Sequence, residues 1–346
     1  MLKVELLPAA HGDAILVQYG AKTSPRQILV DGGPHSTYPA LRERILALPA
    51  AKRRFELVIV SHVDTDHIDG ILCLLQDEEL GVKIGDLWFN GQRHLAPRAQ
   101  LGGLQGEFME VLIEDRELPW NRKFHGKAVV IPPSGDLPTV KLPGGATVTL
   151  LSPTDKQLKK LENEWINAVK AAGFVPGNRD SARKQLARRK EYAPSAATLG
   201  GQVDASAANG SSIAVLFEFK DKALLLAADA FAEVLEESLA RLAKKRGQEA
   251  IAVDAFKLAH HGSFSNISPR LLRLAPATHY LVSTNGDKFH HPDPPAIQLL
   301  LKERKGSQPH LVFNYESPST QPWKDPSGQE SHKYSSSFDG ELQLAT

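Results

Sequence analysis

Four side chains able to bind protons or metal ions crowd into six residues, His62-Val-Asp64-Thr-Asp66-His67, directly behind the apolar run Leu57-Val58-Ile59-Val60. That run is too short for an amphipathic helix and suits a strand buried on both faces. Ile68, Ile71, Leu72 and Leu75 then fall at i, i+3, i+4 and i+7, so a helix follows the polar cluster directly. A fold built on this stretch must place its densest set of charges at the seam between a buried strand and a helix. Groups of that kind are costly to bury unless something binds them. Side chains 62, 64 and 66 can converge on one side of such a turn, and the helix start fixes His67. Imidazole and carboxylate are ligands for Zn²⁺, Mn²⁺ or Fe²⁺. Two of each cannot all surround one tetrahedral ion once further ligands arrive from elsewhere, which implies two ions.

Further candidates stand at strand ends in the C-terminal half. Asp229 follows the apolar run 223–228, His260-His261-Gly262-Ser263 follows Phe256-Lys257-Leu258-Ala259, and His290-His291-Pro292 follows a strand at 279–283. Three such positions in one half and the first cluster in the other are how a site between two packed sheets would be assembled. The remaining histidines, at 11, 35, 94, 125, 279, 310 and 332, read as ordinary. Strand patterns at 4–7, 14–17, 28–30 and 57–60 with a helix at 39–48, and again at 212–219, 223–228, 253–258, 279–284 and 310–314 with helices at 231–245 and 295–304, predict an α+β protein. Its two sheet-plus-helix layers pack face to face as a four-layer αβ/βα sandwich. Residues 90–150 read as short strands and loops, 200–210 as a loop, and 316–346, rich in Ser, Pro, Gln and Lys, as a loosely packed tail.

With 346 residues, 42% of them hydrophobic and 23% charged, the chain is ordinary globular material. One cysteine, Cys73, excludes an intramolecular disulfide and a multi-cysteine zinc site. The N-terminus lacks the pattern of a signal peptide, and no run of about 18 apolar residues is present, so a membrane span is not expected and a cytoplasmic location is. The net charge is +1, but residues 156–190 hold ten basic against three acidic residues, +7, leaving −6 for everything else. Two helices are expected there, one with the apolar stripe Leu158, Leu161, Trp165, Ile166 and Val169, the other carrying Arg183, Lys184, Arg188, Arg189 and Lys190. Asp180 and Glu191 are too few to neutralise the second, so it needs either an external anion, DNA or RNA, or an acidic patch on the body.

The stretch His62-Val-Asp-Thr-Asp-His67-Ile-Asp-Gly70 resembles the HxHxDH signature of the metallo-β-lactamase superfamily, in the HxDxDH form of the ComEC-type competence-protein hydrolase domain. His11-Gly-Asp-Ala-Ile-Leu-Val17 is similar to that group's VGQGDAILI opening, and Ile28-Leu-Val-Asp-Gly-Gly33 to its LIDGG turn. Asn209-Gly-Ser-Ser212 with 213–217 is similar to its NxxSLVL strand, 225–229 to its LLTGD, Lys257-Leu-Ala-His-His-Gly-Ser263 to its KVPHHGS and His291-Pro292 to its GHPHP. The chain departs from the pattern in lacking an isolated third-motif histidine, in Ala228 for the Gly before Asp229, and in Asp293 for the second histidine of GHPHP.

The resemblance implies one hydrolase domain built from 1–155 and 206–315, with 156–205 as a basic helical insertion. It also implies a metal-dependent hydrolase with two divalent ions, Zn²⁺ or Mn²⁺. His62, Asp64 and one histidine of the pair, taken as His261, would hold the first ion, and Asp66, His67 and His291 the second, with Asp229 bridging. His260 would then be free to hold or protonate a substrate oxygen, and Asp31 and Ser263 would orient the ligands. A nucleic-acid phosphodiester is the implied substrate. A small phosphoester or phosphocholine-type diester, and a metal-bound module that docks a partner without catalysis, are the alternatives.

Overall fold

The structure, a computed structural model, describes residues 1–95, 104–162, 178–191 and 205–346. Alternate burial along the first strands decides its layering. Ile15, Val17, Ile28, Val30, Leu57 and Ile59 face one apolar cluster, which continues through Leu150, Leu216 and Leu225 of a second sheet. Leu16, Leu29 and Val58, one residue out of phase, face another, shared with Leu41, Ile45, Ile68, Ile71, Leu72 and Leu75 of the helices Tyr38–Leu46 and Thr65–Gln76. A two-residue period thus sends one row of side chains between the sheets and the other outward under helices.

The first sheet is ordered Glu341–Leu344, Leu2–Leu6, Ile15–Ala21, Ser24–Val30, Leu57–Ile59, Leu87–Trp88, antiparallel up to Ser24–Val30 and parallel beyond it. The second is ordered Ser335–Ser337, His310–Phe313, Ala277–Val282, Val253–Lys257, Lys222–Leu226, Ala214–Phe219, Thr147–Ser152, Thr139–Lys141. Its strands from Lys222–Leu226 to Ser335–Ser337 run parallel. Helices Ala232–Arg246, Pro269–Leu274 and Pro294–Glu303 cover it with Leu235, Leu239, Leu271 and Ile297. The expected four-layer sandwich is therefore observed. Parallel strands end in the same direction, so the chain segments after Val30, Ile59, Leu226, Lys257 and Val282 gather at one edge.

Three local expectations are corrected. Residues 104–115, expected as strand and loop, form the helix Leu104–Asp115, whose Phe108, Met109 and Val111 are buried in the N-terminal cluster. The stretch expected as a loop at 200–210 contains the short helix Ala205–Gly210, held by buried Ala207 and Ala208. Residues 316–346 supply an edge strand to each sheet rather than a loose tail. Leu342 pairs with Val4 and Leu344 with Leu2, while Ser336 pairs with Leu311. A two-leucine alternation is too short to register in sequence, yet it closes the open edge of the first sheet. Trp165, Ile166, Val169 and Lys170 lie outside the described residues.

Candidate metal centre

The strand Leu57–Ile59 delivers Ser61 and His62, and the helix Thr65–Gln76 opens immediately with Asp66 and His67 in its first turn. Asp64 occupies the N-cap position, but its side chain makes no capping hydrogen bond, so the carboxylate is not consumed in ending the helix. Two glycines seat this helix start against its neighbours. A Cβ on Gly12 would stand 1.8 Å from the Asp66 carbonyl oxygen, and one on Gly70 1.9 Å from that of Gly32. Only bare backbone fits at either crossing.

Asp229, 2% exposed, is the hub. Its Oδ2 lies 3.5 Å from His67 Nε2, 3.8 Å from both His260 Nε2 and His261 Nε2, and 3.9 Å from His62 Nε2. Asp64 Oδ2 stands 3.5 Å from His62 Nε2. Ligand atoms of His62, His67 and Asp229 lie within 4.8 Å of one another, as do those of Asp66, His67 and His261. His67 belongs to both sets, and its one free nitrogen can serve only one ion. His291 stands one ring further out, its centroid 5.4 Å from that of His260.

The tautomers follow from partners on the far side of each ring. Ser61 Oγ donates to Asp31 Oδ2 at 2.6 Å and so accepts from His62 Nδ1 at 2.9 Å. Ser212 Oγ lies 3.3 Å from the same nitrogen. His67 Nδ1 donates to Asp31 Oδ2 at 2.9 Å, His261 Nδ1 to the Ser283 carbonyl at 2.8 Å and His291 Nδ1 to Asp293 Oδ1 at 3.0 Å. Asn266 spends its amide on the Asp229 and Ala230 carbonyls, so its Oδ1 accepts from His260 Nδ1 at 3.2 Å. Each ring therefore keeps its lone pair on Nε2, and those of His62, His67, His260 and His261 face Asp229. The Nε2 atoms of His62, His67 and His261 and Oδ1 of Asp229 are buried and have no hydrogen-bond partner among the described residues. Four orphaned acceptors aimed at one another are what a cation would satisfy, and this donor set of imidazole and carboxylate fits a divalent ion.

The charges agree. Burial raises the Asp229 carboxyl, but the imidazoles of His67, His261 and His260 outweigh it and hold it well below the usual carboxylate range. Burial pulls His67 down, yet Asp229 and Asp31 hold it well above its ordinary value. Asp66 is likewise raised by burial and, more strongly, lowered by His67 and His261. The backbone is bent to fit: Asp31, Ala228, His260, His261 and His290 all have positive φ without being glycine. Such strain collects at functional sites. At Ala228 the φ is 47°, a backbone conformation that glycine adopts most easily.

Below the histidines lies a layer that the sequence did not announce. Asp13, buried like Lys257, forms an ion pair with it, and Asp13 Oδ1 is 3.5 Å from His261 Nδ1. The only signals were a lysine inside an apolar strand and a Gly-Asp turn. His11, read as ordinary, packs its ring edge-on to Phe289, 6.3 Å between centroids, and feels the charge of Asp66. Ser263 is near the site, but its hydroxyl meets Ser265 at 2.9 Å rather than an imidazole.

The basic candidates lie on the helix Arg179–Glu191. Arg183 is paired with Asp115 at 2.7 Å, and Arg179 with Glu110 and Glu114, so the acidic patch sought for this cluster is in part the helix Leu104–Asp115. Lys184 is exposed, and the side chains of Arg188 and Arg189 lie outside the described residues.

No family model and no curated protein matches the chain. Among solved structures it is similar to human tRNase Z, short form, at 10% identity and a TM-score of 0.45 over 100% of both chains. It is also similar to the metallo-β-lactamase fold protein YhfI from Bacillus subtilis, at 14% identity and 0.41, over 90% of this chain and 94% of the other. A third is CmlA, a diiron β-hydroxylase from Streptomyces venezuelae, at 12% identity and 0.44, where 99% of this chain spans 54% of the other.

Proposed function

We propose that the chain is a metal-dependent hydrolase, with two divalent ions between its sheets and a phosphodiester as substrate, as its ComEC-like motifs imply. The observation that carries this reading is the convergence of buried, unpartnered Nε2 atoms of His62, His67 and His261 on the Asp229 carboxylate. His62 and Asp64 would hold one ion, Asp66, His67 and His291 the other, with Asp229 between them. His261 stands nearer Asp66 and His67 than the motif comparison implies, and its burial suits a ligand. Bound ions of this kind supply Lewis acidity and generate a nucleophile from water at neutral pH. The ring of His260 is partly exposed, which leaves its Nε2 free to hold a substrate oxygen or give a proton to the leaving group. Asp31 fixes His67 and, through Ser61, His62, so that neither ring turns away.

Protein purified without chelator and reconstituted is expected to hold about two ions per chain by elemental analysis. Two carboxylates in the first motif harden the site, so Mn²⁺ should support phosphodiester hydrolysis as well as Zn²⁺. Fewer than one ion after reconstitution, or no metal-dependent hydrolysis of any diester, would overturn this reading.

The basic segment 156–205 is, in the same reading, an insertion that helps hold a nucleic acid. Changing Arg183, Lys184, Arg188 and Arg189 together to Gln should weaken binding of DNA or RNA. It should also flatten log K against log salt by roughly 0.7–0.9 for each phosphate that the variant no longer neutralises. Because Arg183 is already paired with Asp115, its share should be the smallest. Unchanged affinity and unchanged slope would reject the insertion as a nucleic-acid binding surface.

A further inference from the structure

Among the described residues, two of the three exposed large hydrophobic side chains, Phe264 at 50% and Phe289 at 46%, flank the candidate centre. Phe264 stands just beyond His260-His261-Gly262-Ser263, and Phe289 just before His290-His291. The Phe289 ring lies 6.0 Å from that of His291 and 6.3 Å from that of His11.

Neither ring is on a loose loop. The Phe264 N–H donates to Asp293 Oδ2 at 2.8 Å, the same carboxylate that holds His291. On the other loop the Asn285 N–H donates to the Ala10 carbonyl at 2.8 Å and the His290 N–H to the Gly286 carbonyl at 3.0 Å. Gly286 has a φ of +76°, and a Cβ there would meet Ser319 Oγ at 2.0 Å. Backbone tied down this closely presents its aromatic rings to solvent by construction, at a place where both could have been polar.

Lys288 narrows what the rings receive. Its Nζ stands 4.7 Å from the Phe289 ring centroid. A quaternary ammonium would seek that same ring face and be repelled, which argues against a phosphocholine-type headgroup. A flat, uncharged ring joined to a phosphate meets both features. Every nucleobase has such a face, and it is offered freely only by a single strand, since a duplex keeps its bases stacked inside.

We propose that Phe264 and Phe289 are stacking platforms for bases flanking the scissile phosphate and that Lys288 binds a phosphate, which makes single-stranded nucleic acid the substrate class. The proposal rests on the phosphodiesterase reading above.

The test compares cleavage by the Mn²⁺-loaded protein of a short single-stranded oligonucleotide, the same strand with abasic residues, and the duplex. The intact strand should exceed the abasic one in kcat/KM by roughly 5- to 150-fold, chiefly through KM, and should also exceed the duplex. Phe264→Leu with Phe289→Leu should erase the difference between intact and abasic strands, while Lys288→Gln should weaken both alike. Equal cleavage of intact and abasic strands, a preference that survives in the Leu pair, or equal cleavage of the duplex overturns the platforms and leaves the phosphodiesterase standing. Cleavage of none of the three overturns the platforms, and if a small chromogenic diester is not hydrolysed either, the phosphodiesterase with them.

Discussion

Asp229→Ala is expected to lower phosphodiester hydrolysis by ~10³-fold or more, because without bound ions the attacking water keeps its ordinary, far higher pKa. Asp66→Ala should do the same. Asp229 Oδ2 is within 3.9 Å of four imidazole nitrogens, so its loss removes the charge that holds both halves of the ligand set together. Both variants should still fold, since the inter-sheet cluster that includes Ile28, Ile59, Leu216 and Leu225 contains neither carboxylate. Circular dichroism, metal content and turnover measured on the same preparations check this. Wild-type turnover in either variant with metal bound would sink the assignment.

Lys257→Met should be the most damaging change to stability outside the apolar core, about 3–5 kcal/mol, because it strands the buried Asp13 carboxylate without its partner. Burial raises the Asp13 carboxyl, but Lys257, first among the nearby charges, together with His261 and His67 more than offsets this and holds it below the usual range. The double variant Asp13→Asn with Lys257→Met should regain much of the stability, as removing both charges leaves nothing uncompensated. It should not regain metal binding. With Asp13 3.5 Å from His261 Nδ1, loss of that carboxylate should weaken metal affinity roughly 10- to 100-fold in chelator competition. A single variant that unfolds in urea like the wild type would show that the pair does not hold the fold, and a double variant that binds metal like it would show that Asp13 does not support the ligands.

The two predictions divide along the line between what is local in the chain and what is not. His62, Asp64, Asp66 and His67 could be read from sequence because strand, turn and helix follow one another within a dozen residues, and periodicity alone says where the apolar run stops. Asp229 and the pair His260-His261 were legible for the same reason, each set following its own short strand. The layering was legible as well, since alternation at Ile15-Leu16-Val17 and Ile28-Leu29-Val30 already separates the inward row from the outward one. The helix Leu104–Asp115 was missed because the Gly- and Pro-rich residues around it outweighed a short apolar stripe.

What tertiary structure alone decided is how these pieces meet. Ser212 reaches His62 across 150 residues of chain and Ser283 reaches Gly12 across 271. Lys257 finds Asp13 only because the parallel strand that carries it ends over the turn at Gly12. The edge strand Glu341–Leu344 is set by backbone pairing with Leu2–Leu6, at the other end of the chain, and Ser335–Ser337 by pairing with His310–Phe313. Sequence thus determined which side chains would stand at the seam, because that depends on neighbours a few residues away. The far-side partner of each imidazole, and with it the nitrogen left free for a metal ion, depended on sheet register and packing, which no local pattern encodes.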